Sequence, residues 1–300
     1  MIKPITTHQI RFGADTVTID PSTGDYKDPL MKWPLRGMAF TNEVGEALRP
    51  LIGNYATLSW APALLYIGAD VYDKYKNDQT EYSPNSKRCL KQAIFQGLAS
   101  ILLPIIAVKG GQSLFSLFGL VGREKITYTK QEQIIDLAKQ FVANGKMHAY
   151  NEKDAECVNE FIGMVHNNFD YKSAKKPFGE AIKKLFNINQ NKNIENYAKN
   201  TISSLIETRK KLLKPSDKFK NTNLYSEYLI ALESGQTSNV AIKNILNKFL
   251  KNKTMKGRFI KTSGGFLALS LAIKPIDNFV EHVLIGKVIG PSIDNKKTAK

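Results

Sequence analysis

The stretch Arg36-Gly37-Met38-Ala39-Phe40-Thr41-Asn42-Glu43-Val44-Gly45-Glu46-Ala47-Leu48-Arg49 decides how the rest of the chain is read. It carries four charges, and the twenty residues that follow, Pro50 to Ala69, carry none. Thr41 or Asn42 is placed to accept a hydrogen bond from the free amides of a helix start. Glu43 and Glu46 then fall in the first turns, where the helix dipole favours acids. Glu46 and Arg49 lie three apart and share a helical face. Spacing alone makes this a capped amphipathic helix with solvated charges. Joined to the uncharged run, it reads as a helix whose start is functional and whose body is buried.

The run itself has the length of a membrane span, roughly 20 residues. Asn54, Thr57, Ser59 and Pro62 weaken it, while Gly53, Ala56, Ala61, Ala63, Gly68 and Ala69 offer small surfaces for close helix contact in lipid. Trp60 and Tyr66 fit lipid or a soluble core equally. A water-like composition returns at Asp70, with Asp73 and Lys74 close behind. After a polar loop over 77–88, a second uncharged run covers Gln92 to Val108, with a kink expected at Pro104. Lys109-Gly110-Gly111 interrupts it, and the thirteen uncharged residues from Gly110 to Gly122 make a piece that reads as an interfacial or re-entrant helix. Apolar character returns over 259–290, around Lys274-Pro275-Ile276-Asp277. Crossings at 50–70 and 90–108 would leave the N-terminal arm and the middle of the chain on one side. Lys109, Arg123, Lys125 and the Lys251–Lys261 cluster favour the cytoplasm or matrix for that side. Labelling of Cys157 before and after lysis is the natural test.

Residues 123–258 are different material, with 25 Lys/Arg against 14 Asp/Glu, or +11 of the chain's +16. Helical periodicity shows in Ile134, Ile135, Ala138, Phe141 and Val142, in Val158, Phe161, Ile162 and Val165, and in Ile242, Ile245, Leu246, Phe249 and Leu250. Breaks fall near Lys176-Pro177, Asn187–Asn193, Lys214-Pro215 and Ser234-Gly235. Four to six helices are expected. The N-terminus is a weakly ordered arm in which 9–12 and 16–19 alternate as a hairpin would. It lacks a basic start before an apolar run, and Asp15, Asp20, Asp25 and Asp28 do not suit a mitochondrial presequence. The expected organisation is an arm over 1–34, a membrane helical part over 35–122, an inserted basic helical domain over 123–257, the last membrane part over 258–290 and a basic tail over 291–300.

The signatures of catalysis do not emerge. Gly110-Gly111 has no following Gly-Lys-Ser/Thr, no Gly-x-Ser-x-Gly elbow occurs, and His8, His148, His166 and His282 lie far apart. Cys89 and Cys157 form neither a zinc spacing nor a disulfide framework. No catalytic residue, metal site or cofactor is expected. Basic clusters such as Arg209-Lys210-Lys211 lack a nucleic-acid motif, and beside apolar segments they fit anionic lipid better.

Taken together, these segments resemble the mitochondrial fission process protein family, integral proteins of the mitochondrial inner membrane. Arg36 through Arg49 is similar to that family's Asn-Glu-Val-Gly-Glu-Ala motif with its flanking arginines. Ala69-Asp70 with Asp73-Lys74 resembles its first-span exit, Phe95 to Pro104 its second apolar segment, and Pro275-Ile276-Asp277 its final turn. The resemblance covers about 35–122 and 257–290. Residues 123–257 stand where the family has a shorter connection, and Lys274 where it has His. The family-motif residues are Arg36, Asn42, Glu43, Val44, Gly45, Glu46, Arg49, Asp70, Asp73, Pro275 and Asp277. The resemblance implies an all-α membrane protein with two to four membrane-associated helices and an inserted soluble helical domain. It implies a non-enzymatic role in membrane shape, division or bioenergetics, in a bacterial plasma membrane or the mitochondrial inner membrane. Its partners would be the bilayer, anionic lipid and unidentified proteins, with a homo-oligomer also open. Glu43, Glu46, Asp70 and Asp277 should be neutralised by Arg36, Arg49, Lys74 or Lys274, since buried charge in a membrane is costly unless paired. The alternative is a soluble all-α adaptor that binds an acidic partner or surface through its basic insertion.

Overall fold

Thirty-five consecutive residues, Ser86–Leu120, form one unbroken helical rod. The computed structural model describes residues 30, 32–77, 83–147, 154–168 and 190–295, and among these it is all-helical with no strand. The hairpin expected over 9–19 lies outside the described residues. Helix numbering follows chain order, starting with the short α1 (Leu35–Met38) and α2 (Thr41–Ile52).

The expected twenty-residue crossing over Pro50–Ala69 is not one helix. Helix α2 stops at Gly53, which adopts φ +61°, a left-handed conformation that costs glycine no steric strain. A 3-10 segment (Gly53–Ser59) follows, and α3 (Trp60–Lys76) runs back along α2. The return is tight: a Cβ on Gly45 would sit 1.7 Å from Ser59 Oγ and 3.0 Å from the Ala56 carbonyl. Small residues make a hairpin where their count alone suggested a span.

The first rod holds α4 (Ser86–Phe95), a π segment (Gln96–Leu102), α5 (Leu103–Ser116) and a 3-10 turn (Leu117–Leu120). Asn85 caps its start, accepting from the Lys87 and Arg88 amides. Lys109-Gly110-Gly111 does not interrupt it, because Lys109 points outward and Gly111 is needed for a helix crossing. The second rod covers 57 residues, Ser238–Asp294: α11 (Ser238–Asn278), a π segment (Phe279–Ile289) and the start of α12 (Gly290–Asn295). At 1.5 Å per residue it is about 85 Å long. These two rods are the described helices long and apolar enough to cross a membrane: the first contains the crossing expected at 90–108, and the second stands in place of the one expected at 50–70.

The rods cross in antiparallel fashion at two glycines. A Cβ on Gly111 would lie 2.2 Å from the Gly264 carbonyl, and one on Gly264 would lie 2.7 Å from the Gly111 carbonyl. Ala47 of α2 packs with Val108 and Leu269 just beyond this crossing. Lys91 and Asp294 pair at 2.7 Å near the far ends. The result is a four-membered helical bundle of α2, α3 and the two rods.

The rest of the described chain is a helical head built on a conventional apolar core. It comprises α6 (Tyr128–Ala143), α7 (Asp154–Asn168), α8 (Gln190–Leu213), α9 (Asp217–Lys220), α10 (Asn223–Glu233) and the first half of α11. Ile134, Ile135, Ala138, Phe141 and Val142 are buried as their spacing predicts, and Phe141 meets Phe161 edge-on at 5.4 Å. Helices end before Lys214-Pro215 and before Ser234-Gly235, where Gly235 adopts φ +86°. Lys176-Pro177 lies outside the described residues. The boundary expected at 257/258 falls inside α11, which the head and the bundle share.

Cys157 is buried against Met147, and burial, aided by Glu160 and Asp154, pushes its thiol up to about 11. It therefore cannot report topology. At pH 8 an alkylating reagent should modify half-buried Cys89 in the folded chain and Cys157 only after denaturation, read by peptide mass. Gly264→Val should force the rods apart and lower the thermal midpoint in detergent by an amount equivalent to about 1–3 kcal/mol, because the Phe115 ring and the Gly111 carbonyl already occupy the space of the added methyls.

Candidate functional site

Helix α2 turns its polar side chains inward. Asn42, Glu43, Gly45, Glu46 and Ala47 are buried, whereas Val44 faces out. The bundle's exterior is correspondingly apolar: Leu65 is 69% exposed, Leu271 70%, and Leu58, Leu64, Leu102, Ile106, Leu114 and Leu267 are exposed with them. Among the described residues of the head, by contrast, the large exposed apolar ones reduce to Leu213, Leu229, Ile230 and Val240.

Two hydrogen-bonded groups line the interior. In the first, Glu46 takes Arg49 in a two-pronged pair, Nε to Oε2 at 2.9 Å and a terminal guanidinium nitrogen to Oε1 at 2.5 Å. Trp60 Nε1 donates to the same Oε1 at 3.1 Å, and Gln112 Nε2 donates to the Glu46 carbonyl at 2.8 Å. One carboxylate thus ties α2 to α3, while its backbone ties α2 to the first rod.

The second group runs across the helices as a relay. Asp70 Oδ2 accepts from Gln92 Nε2 and, at 2.5 Å, from Gln96 Nε2. Ser100 Oγ donates to Gln96 Oε1 at 2.6 Å. Asn42 Nδ2 then donates to the Ser100 carbonyl at 2.8 Å. That carbonyl is available because Pro104, four residues on, has no N–H to offer it. The proline and the motif asparagine are therefore a matched pair.

Glu43 belongs to neither group. It is buried, its Oε2 has no hydrogen-bond partner among the described residues, and the charge of Asp277 on α11 acts on it. Asn42 Oδ1 is likewise unpartnered.

The sequence-predicted site residues therefore divide. Asn42, Glu43, Gly45, Glu46, Asp70 and Asp277 gather at the interior faces of the bundle. Arg36 is half-buried on α1, and Pro275 is exposed on the second rod. Of the expected neutralising pairs, the structure holds Glu46 with Arg49. Asp70 is held by two glutamine amides instead of a cation, and Lys74 lies by Asp73 at 3.8 Å. Lys274 points outward. Gln92, Gln96, Ser100 and Gln112 were not singled out from sequence. Their signal is a polar residue every fourth place through an otherwise apolar run, which puts Gln92, Gln96 and Ser100 on one helical face. Among the described residues no group of three or more His, Cys, Asp or Glu side chains could hold a metal.

No protein-family model matches the chain, and neither a curated protein nor a solved structure was found to be similar to it.

The relay makes Asp70 replaceable only together with its donors. Asp70→Leu should cost about 1–3 kcal/mol, because it strands two amides in an apolar bundle. The triple replacement Asp70→Leu/Gln92→Leu/Gln96→Leu should recover most of that loss. Thermal unfolding in detergent measures both, and a triple variant no better than the single one contradicts the relay.

Proposed function

We propose that the chain is an integral membrane protein whose helical bundle lies in the bilayer, crossed by the two rods, and whose helical head stands outside it, acting without catalysis as a scaffold in membrane organisation. The observation that carries this reading is the reversal of polarity between the two halves. The described part of the head hides most of its large apolar side chains and shows its charges; the bundle shows leucine and isoleucine and buries Glu43, Glu46 and Asp70. In water, a surface bearing Leu64, Leu65, Leu102, Ile106, Leu267 and Leu271 together would be an aggregation liability, whereas in lipid it is the preferred exterior. The apolar windows of the two rods are 22% buried, which suits a lipid-facing helix and not the core helix of a soluble adaptor.

The interior fits the same reading. A bundle in hydrocarbon gains nothing from burying more leucine, and its helices are held by close packing of small residues and by hydrogen bonds. Gly45 against Ala56, Gly111 against Gly264, and the two polar groups are devices of that kind. The resemblance of Arg36–Arg49 and its ordered companions to the mitochondrial fission process protein family supports a role in membrane shape or division. The membrane would then be the mitochondrial inner membrane or the bacterial plasma membrane.

Extraction separates this reading from the soluble adaptor. Membranes prepared from cells producing the full chain should retain it through alkaline carbonate and release it only to detergent. Recovery in the carbonate supernatant would overturn the membrane assignment.

A further inference from the structure

The junction between head and bundle contains a built cationic cleft. On the first rod, exposed Phe118 and Val121 end the apolar surface, and exposed Arg123 and Lys125 follow directly. On the second rod, exposed Phe259 ends it and exposed Lys256 follows toward the head. The antiparallel crossing brings the two transitions to one level, where Gly257 rests against the Tyr128 ring at distances that leave no room for a Cβ. There a cavity of about 80 Å³ opens, walled by Lys253, Lys256, Arg258, Glu132 and Tyr128. That is the room of about two to three waters, enough for a phosphate group and too little for a nucleotide or an organic cofactor.

The cations are held in place without being used up. Lys253 lies 4.9 Å over the Tyr197 ring and donates to Thr201 Oγ1 at 3.1 Å, so its stem is fixed. Arg258 meets Glu132 through Nε alone, at 2.8 Å, which leaves its terminal nitrogens for another acceptor. Lys261 shares the same glutamate at 2.5 Å. Lys256 has no hydrogen-bond or ion-pair partner among the described residues. The acids at the junction are Glu132 and Glu124, the latter facing Lys253 from the loop that carries Arg123 and Lys125. Six cations thus oppose two acids, beside apolar side chains that end where headgroups begin.

We propose that this cleft binds the phosphate of an anionic phospholipid headgroup, with Lys253, Lys256 and Arg258 as its wall and Arg123 and Lys125 at its rim. The proposal rests on the membrane reading above. It commits to a lipid because the adjoining exposed Phe118, Val121 and Phe259 would meet acyl chains, a contact that a free phosphate does not need.

The test uses the full chain purified in detergent. Thermal unfolding is followed against added phosphatidylglycerol, phosphatidylcholine or inorganic phosphate. Phosphatidylglycerol should raise the midpoint, and the other two should not. In Arg123→Gln/Lys256→Gln, whose side chains hold nothing else in place, half-maximal response should need about tenfold to thirtyfold more phosphatidylglycerol. The control Lys214→Gln/Lys218→Gln, with the same loss of charge on the head surface, should respond like the parent. Equal shifts from both lipids, an equal loss in the control, or a shift reproduced by inorganic phosphate would each overturn the headgroup site. Incorporation into neutral phosphatidylcholine vesicles, scored by resistance to carbonate, reads the membrane assignment separately. A chain that incorporates yet ignores phosphatidylglycerol sinks the cleft alone, and one that fails to incorporate sinks both.

Discussion

The contact between the Gly111 and Gly264 backbones sets the geometry on which the bundle depends. Two rods meeting at side-chain distance would be held 8–10 Å apart. Removal of both Cβ atoms lets carbonyl approach helix directly, so that dispersion acts between the two backbones. Everything else in the bundle is fitted to that separation. Ala47 reaches Val108 and Leu269 together because α2 lies in the groove of a close pair. Gln112, one residue beyond the crossing glycine, is near enough to reach the Glu46 carbonyl at 2.8 Å.

With the helices this close, polar groups inside the bundle have each other or nothing. Asp70 answers the constraint with two glutamines, Glu46 with Arg49 and Trp60, and Asn42 with the carbonyl that Pro104 leaves open. Glu43 does not answer it, and it faces another acid. The motif therefore contains three kinds of residue that look alike in sequence: a structural tie (Glu46), a register pin (Asn42) and a buried acid without a counter-charge (Glu43). Only the last is left over once the packing is accounted for, so within the motif it has the strongest claim to a role other than holding the helices together.

Much of this was legible in the sequence, and the failures have clear physical causes. The head's periodic apolar positions became its core, since a 3.6-residue repeat over polar ground has one solution in water. The inward gathering of Asn42, Glu43 and Glu46 did not follow from spacing, which suited a cap and solvated charges equally well. The span at Pro50–Ala69 was misread because absence of charge does not report backbone conformation: Gly53 in the left-handed region turns the chain before it can cross. The opposite error occurred at Lys109. A single lysine was taken as the end of an apolar segment, although an exposed lysine, near enough to act on Glu46, leaves the helix unbroken. The partner of Asp70 was misjudged as a cation because spacing within one segment cannot show which side chains another segment delivers. The four-residue rhythm of Gln92, Gln96 and Ser100 was nevertheless present to be read.

The shared helix α11 gives these local facts a mechanical consequence. Leu250 closes the head's core and Leu269 packs in the bundle, about 28 Å apart along one uninterrupted helix. A hinge between the halves would have to break helical hydrogen bonds in that interval. The contacts beside it act against bending as well: Tyr128 fills the face of Gly257, and Glu132 on α6 grips Arg258 and Lys261, one turn apart on α11. The head is thus splinted to the bundle at the level where its cations are densest. A chain built this way holds its head at a fixed attitude to the bundle, and to any membrane that encloses the bundle. The orientation is set by backbone continuity and not by a flexible tether, so a load on the head reaches the bundle through the glycine crossing.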